Sequence, residues 1–152
     1  MGAEARIKEL KLELPPAPKP VATYIPAVQI GNLLYVSGHG PLKSDGTMIA
    51  GRVGADMTLE QGKAAARQVG LAILSTMRNT LGSLDRVLRL IKVLGMVNAA
   101  ADFKEHPQVV NGFSDLMVEV FGESGKGARS AVGMGSLPGN IAVEVEAIFE
   151  VH

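Results

Sequence analysis

The stretch Ile141-Ala142-Val143-Glu144-Val145-Glu146-Ala147-Ile148-Phe149-Glu150 decides the fold. Ile141, Val143, Val145, Ala147 and Phe149 fall on one side of an extended chain, and Ala142, Glu144, Glu146, Ile148 and Glu150 on the other. A period of two marks a β-strand with one face on a core. Just before it, Leu137-Pro138-Gly139-Asn140 is a break, and Arg129 to Met134 reads as a second closing strand. Val87 to Val97 alternates in part, so it reads as a strand too, with Gly95 expected at a bulge. Val28 to Ser37 reads as two strands around a tight turn at Gly31-Asn32. Within it, Leu33-Leu34-Tyr35-Val36 is continuously apolar, as expected of a strand covered on both faces. A turn at Ser44-Asp45-Gly46 leads to a further short strand around Met48 and Ile49.

Two segments have helical spacing. Thr58-Leu59-Glu60-Gln61 forms a capping box: the Thr58 hydroxyl can accept the backbone N–H of Gln61. Ala65, Val69, Ala72, Ile73 and Met77 follow on one face, and Gly82-Ser83 stops the helix. The second helix is expected from Pro107 to Phe121, with Val109, Val110, Phe113, Leu116 and Met117 inward and Gly122 as its stop. Gly125 to Ala128 reads as a flexible loop. The order β-β-β-α-β-α-β-β predicts an α+β domain, a six-stranded mixed sheet with two helices packed on one face. The other face is left bare, a physical reason to expect oligomerisation.

Residues 1–20 read as an N-terminal extension: a short amphipathic helix, then an extended connector set by Pro15, Pro16, Pro18 and Pro20. Residues 21–152 make up the domain proper. A chain of 152 residues suffices for one domain with a well-formed core.

Composition excludes several function classes. Fifteen basic and fifteen acidic residues cancel, which disfavours a broad phosphate-binding face. Aromatics at 4% leave few stacking platforms for single-stranded nucleic acid. The absence of cysteine removes disulfides, thiolate ligands and a thiol nucleophile, and a reducing cytoplasm is the simpler fit. The apolar runs are far too short to span a bilayer. His39, His106 and His152 lack metal-ligand spacing, so no metal is expected. Neither Gly38-His39-Gly40-Pro41 nor Gly133-Met134-Gly135-Ser136 opens a helix, so no nucleotide cradle is supported.

The candidates for chemistry are few. Arg129 opens a strand behind a glycine-rich loop, and its planar fork matches a carboxylate, although position alone favours a solvated strand end. Glu144 and Glu146 point the same way; this is an ordinary solvated face unless another subunit covers it, when a carboxylate could position water. Tyr24 reads as a packing anchor or a pocket wall. Asn111, early in the second helix, reads as a ligand contact or a solvated residue. His39 reads first as a hydrogen-bonding loop residue.

Together these residues resemble the RidA (YjgF) family of reactive imine and enamine deaminases. Arg129-Ser130-Ala131-Val132, Leu137-Pro138 and Val143-Glu144-Val145-Glu146-Ala147 look like its closing signature. Tyr24 with Ala27-Val28, Ser37-Gly38 before Pro41, and Val110-Asn111 resemble its upstream motifs. The likeness spans roughly residues 20 to 151. It implies a chorismate-mutase-like fold and a homotrimer with ligand clefts between subunits. It also implies that Arg129 clamps a substrate carboxylate, that Glu144 orients the attacking water, and that Tyr24, Gly38, His39 and Asn111 line the cleft. The implied reaction turns a 2-imino or 2-enamino acid into a 2-oxo acid and ammonia without a cofactor. Ala131 stands where the deaminases often have cysteine, and His39 where glutamine is common. Two other classes stay open: a non-catalytic binder or sensor of small carboxylates, and a ribonuclease or translation inhibitor, which charge and composition disfavour.

Overall fold

The computed structural model describes residues 2–152. Three helices, α1 (Ala3–Glu9), α2 (Leu59–Leu81) and α3 (His106–Phe121), accompany five strands. These are β1 (Ala27–Ile30), β2 (Leu33–His39), β3 (Val87–Asn98), β4 (Ala128–Met134) and β5 (Val143–Val151). The sheet runs β1-β2-β5-β3-β4, antiparallel throughout except for the parallel β3–β4 pair. The alternation in the closing strand places Val143, Val145, Ala147 and Phe149 in the core, with Glu144 and Glu146 facing away. The capping box is complete: Gln61 N–H donates to Thr58 Oγ1 at 3.1 Å, and Thr58 N–H donates to Gln61 Oε1 at 2.8 Å.

Helices α2 and α3 cover the core face of the sheet. They touch backbone to backbone at Gly112, where an added Cβ would collide with the carbonyl of Lys63. The short α1 packs against α3, with Ala3 and Ile7 buried in the same core. Arg78 on α2 pairs with Glu4 on α1 at 2.8 Å, and Ser75 donates to the carbonyl of Pro15 at 2.6 Å. The proline connector is therefore tied along α2.

Two expectations are corrected. The sheet has five strands, not six. The segment around Met48 and Ile49 makes only single bridges, Leu42 to Met48 and Ala50 to Ile141. Gly46 at φ +86° and Gly51 at φ +137° bend it on either side, so no ladder forms. Gly95 is not at a bulge; β3 shifts register earlier, between Val87 and Arg89 and between Leu90 and Lys92. Gly95 instead admits the side chain of Val110 from α3. A short 3-10 turn, Gly122–Gly125, follows α3, and the expected loop before β4 is confined to residues 126–127.

Among the described residues no element covers the second face of the sheet. Register puts Val28, Ile30, Tyr35, Glu144, Glu146 and Val132 on it. Ile30 of β1 is 65% exposed and Tyr35 of β2 46%, and β2 is buried in this chain on one face only, not on both. Among the described residues no helix is long and apolar enough to cross a membrane.

Candidate active site

Arg129 lies on the edge strand β4, paired through Val93 of β3. Its side chain turns toward the helices. Nη1 donates to Asn111 Oδ1 at 2.9 Å and to Ser114 Oγ at 3.1 Å, both on α3. Asn111 and Ser114 are one turn apart and share a helix face, which is why both reach one guanidinium. The remaining N–H groups lack protein partners among the described residues and sit at a 200 Å³ cavity lined by Leu90, Val93, Ser114, Asp115 and Lys126. A guanidinium held by two neutral acceptors keeps its charge available for a carboxylate.

Glu144 lies on the opposite face. Its carboxylate packs on the Cα of Gly38, so closely that an added Cβ would overlap it. Burial, and secondarily the charge of Glu146, raises its pKa above the usual carboxylate range. A carboxylate so tuned is a better proton acceptor than an exposed one.

Tyr24, Gly38 and His39 line one cavity of 110 Å³, together with Pro20 and Met48. Tyr24 is 47% exposed at its edge. The His39 ring is buried and occupied: Nδ1 meets the Ser37 carbonyl at 2.5 Å and Nε2 meets Thr76 Oγ1 at 2.7 Å. Burial lowers its pKa, against a smaller opposing effect of the Ser37 carbonyl. The ring is thus neutral at pH 7 and ties β2 to α2.

The structure brings together two groups. Gly38, His39, Tyr24 and Glu144 gather around β2, and Arg129 and Asn111 gather between β4 and α3. It does not bring the groups to each other. Arg129 is in register with Val93 and Ala147, three residues along from Glu144 and two strands across. Their Cα atoms are roughly 14 Å apart by strand spacing, with the side chains on opposite faces. One small ligand cannot touch both groups within a single protomer. Two larger clefts, of 460 and 570 Å³, contain none of these residues. Among the described residues no three His, Asp or Glu side chains are grouped to hold a metal ion. Sequence reasoning missed Ser114, whose spacing of three from Asn111 was the available signal.

A mixed five-stranded sheet backed by two helices, with an edge-strand arginine, is a chorismate-mutase-like architecture. The chain belongs to the family described as "YjgF/chorismate_mutase-like, putative endoribonuclease", which matches residues 4–150. Protein TCP17 of Trypanosoma cruzi is 42% identical over 149 residues, 97% of this chain and 93% of that protein. A 2-iminobutanoate/2-iminopropanoate deaminase of Dermatophagoides farinae is 30% identical, covering 93% of this chain and 95% of its own. The crystal structure of Atu1372, a protein of unknown function from Agrobacterium tumefaciens, superposes with a TM-score of 0.88. It is 41% identical and covers 98% of this chain and 91% of its own.

Proposed function

We propose that this protein is a hydrolytic deaminase of reactive 2-imino and 2-enamino acids, working as a homotrimer in the cytoplasm. The observation that carries the reading is the opposed placement of Arg129 and Glu144. In a ring of copies, the helix-side edge of one sheet can meet the bare face of the next. That contact covers Val28, Ile30 and Tyr35, and it gives the half-buried Glu144 a ligand to serve. The similarity to a named imine deaminase points the same way.

The chemistry asks little of the protein. Arg129 grips the substrate carboxylate, with Asn111 and Ser114 setting its angle. An enamine first takes a proton at C3 and becomes an iminium ion. Glu144 accepts a proton from water as the water oxygen bonds to C2. Glu144 passes that proton to nitrogen and, as the C–N bond breaks, takes the hydroxyl proton from the oxygen now forming the C=O bond; ammonia leaves with that proton as ammonium, and a 2-oxo acid remains. The iminium carbon is already electrophilic, so holding and orienting supply most of the rate.

The test is ammonia release from freshly generated 2-aminoacrylate. The wild type accelerates it, and Arg129→Ala slows it at least about tenfold with the assembly intact, as loss of a charge-assisted pair requires. Binding of 2-oxo acids that depends on Arg129, with no acceleration of any imino acid, would make the protein a carboxylate sensor instead.

A further inference from the structure

The cavity shared by Tyr24, Gly38 and His39 has a wall that comes from the N-terminal extension. Pro18, Lys19 and Pro20 line it directly. The extension is held from both ends. Upstream, α1 is packed into the core and paired through Glu4 to Arg78, and the Pro15 carbonyl accepts from Ser75 on α2. Downstream, Ala27 enters β1. Between these anchors the prolines fix their own φ, and Pro20 keeps Lys19 extended. Lys19 is therefore delivered to the cavity by a stiff segment, which lowers the entropy cost of using it.

The rest of the lining is apolar or neutral. Pro18, Pro20, Leu42 and Met48 make the walls, and His39 is neutral and already bonded. Lys19 is the only charged residue lining this cavity among those described, and no carboxylate pairs with it. Lys19 is exposed at the cavity rim, so its charge attracts an anion there with the modest strength of a solvent-screened pair. The volume of 110 Å³ is well below the roughly 300 Å³ where drug-sized pockets begin, so only one short arm of a ligand fits.

Gly38 sets the direction. It borders this cavity and carries the Glu144 carboxylate on its Cα. With the reacting end of a ligand at Glu144, as the proposed function has it, a group that reaches past Gly38 into the cavity belongs to the ligand's far end. We infer that Lys19 is a specificity-determining residue that binds a second acidic group on the ligand, so that the preferred ligands are dicarboxylic 2-oxo or 2-imino acids. This rests on the reading that Arg129 grips the first carboxylate at the same ligand.

Calorimetric titration of the full-length protein with 2-oxobutanoate and 2-oxoglutarate tests it, independently of catalysis. The wild type should bind the dicarboxylate more tightly. Lys19→Ala should weaken 2-oxoglutarate about fivefold, the scale of one partly exposed ion pair, and leave 2-oxobutanoate within about twofold. Lys19→Arg should retain the preference. Lys19 is exposed, so these variants keep the fold. A wild type that prefers 2-oxobutanoate, or a Lys19→Ala variant that treats both acids as the wild type does, would overturn the role of Lys19. Arg129→Ala losing both acids would still uphold the carboxylate clamp in that case. A wild type that binds neither acid would sink the clamp and Lys19 together.

Discussion

Arg129 Nη1 donates to Asn111 Oδ1 at 2.9 Å, so the edge strand's only guanidinium is aimed by the helix packed beneath it. Asn111 therefore acts on the ligand through Arg129. Asn111→Ala leaves Ser114 as the remaining acceptor. We expect 2-oxo acid affinity to fall about fivefold, about 1 kcal/mol and less than a whole hydrogen bond to a charged group because Ser114 still holds the guanidinium, with no change in assembly. Titration calorimetry beside sedimentation checks both. An affinity matching the wild type would mean that the guanidinium is positioned by its strand alone.

Gly38 and Glu144 are coupled by contact. A Cβ at position 38 would meet the end of the Glu144 side chain, which can swing away without moving backbone. Gly38→Ala should therefore keep the melting temperature within a few degrees and lower ammonia release about tenfold or more, like a misplaced catalytic group. A variant with full activity would separate Glu144 from the reaction.

Glu146 is the second cause of the raised pKa at Glu144. Removing its charge by Glu146→Gln lowers the Glu144 pKa. The acidic limb of the kcat/KM profile should move to lower pH, because the base stays ionised further into acid. A limb that stays put or moves upward would show that another group titrates there.

His39 has a lowered pKa in the folded protein, because burial disfavours the charged ring. Its contribution to stability is complete above the unfolded value of about 6.5 and is lost as pH falls through the folded value. The wild type should lose thermal stability through that acidic window. His39→Gln, which can still bond Thr76, should remove this part of the pH dependence. Melting curves from pH 7.5 to 4.5 compare the two, and identical slopes would contradict it.

Much of the fold was legible because its signals are local. The alternation from Val143 to Phe149 and the Thr58–Gln61 capping box each lie within a few residues, and both hold in three dimensions. The strand at Met48 and Ile49 was misread because its apolar residues satisfy single bridges from inside a bent loop. A glycine in a strand can mean either a bulge or a close neighbour, and Val110, the neighbour that decides it at Gly95, is fifteen residues away by number. The candidate site was legible only as a set of residues. Which face Arg129 and Glu144 take depends on register through β3, between strands distant in the chain. No local pattern carries that information. Lys19 was hidden in the same way: the prolines showed an extended connector but not the cavity where it ends.

The central claim is that Arg129 of one protomer and Glu144 of another close one site. Complementation measures it directly. Arg129→Ala and Glu144→Gln proteins, each inactive alone, are unfolded, mixed in equal amounts and refolded together. If sites form across boundaries, random assortment rebuilds about one quarter of them with both groups intact, and ammonia release from 2-aminoacrylate returns to that level. A mixture that stays as inactive as its two components, while mixed oligomers are present by native mass spectrometry, would contradict the account.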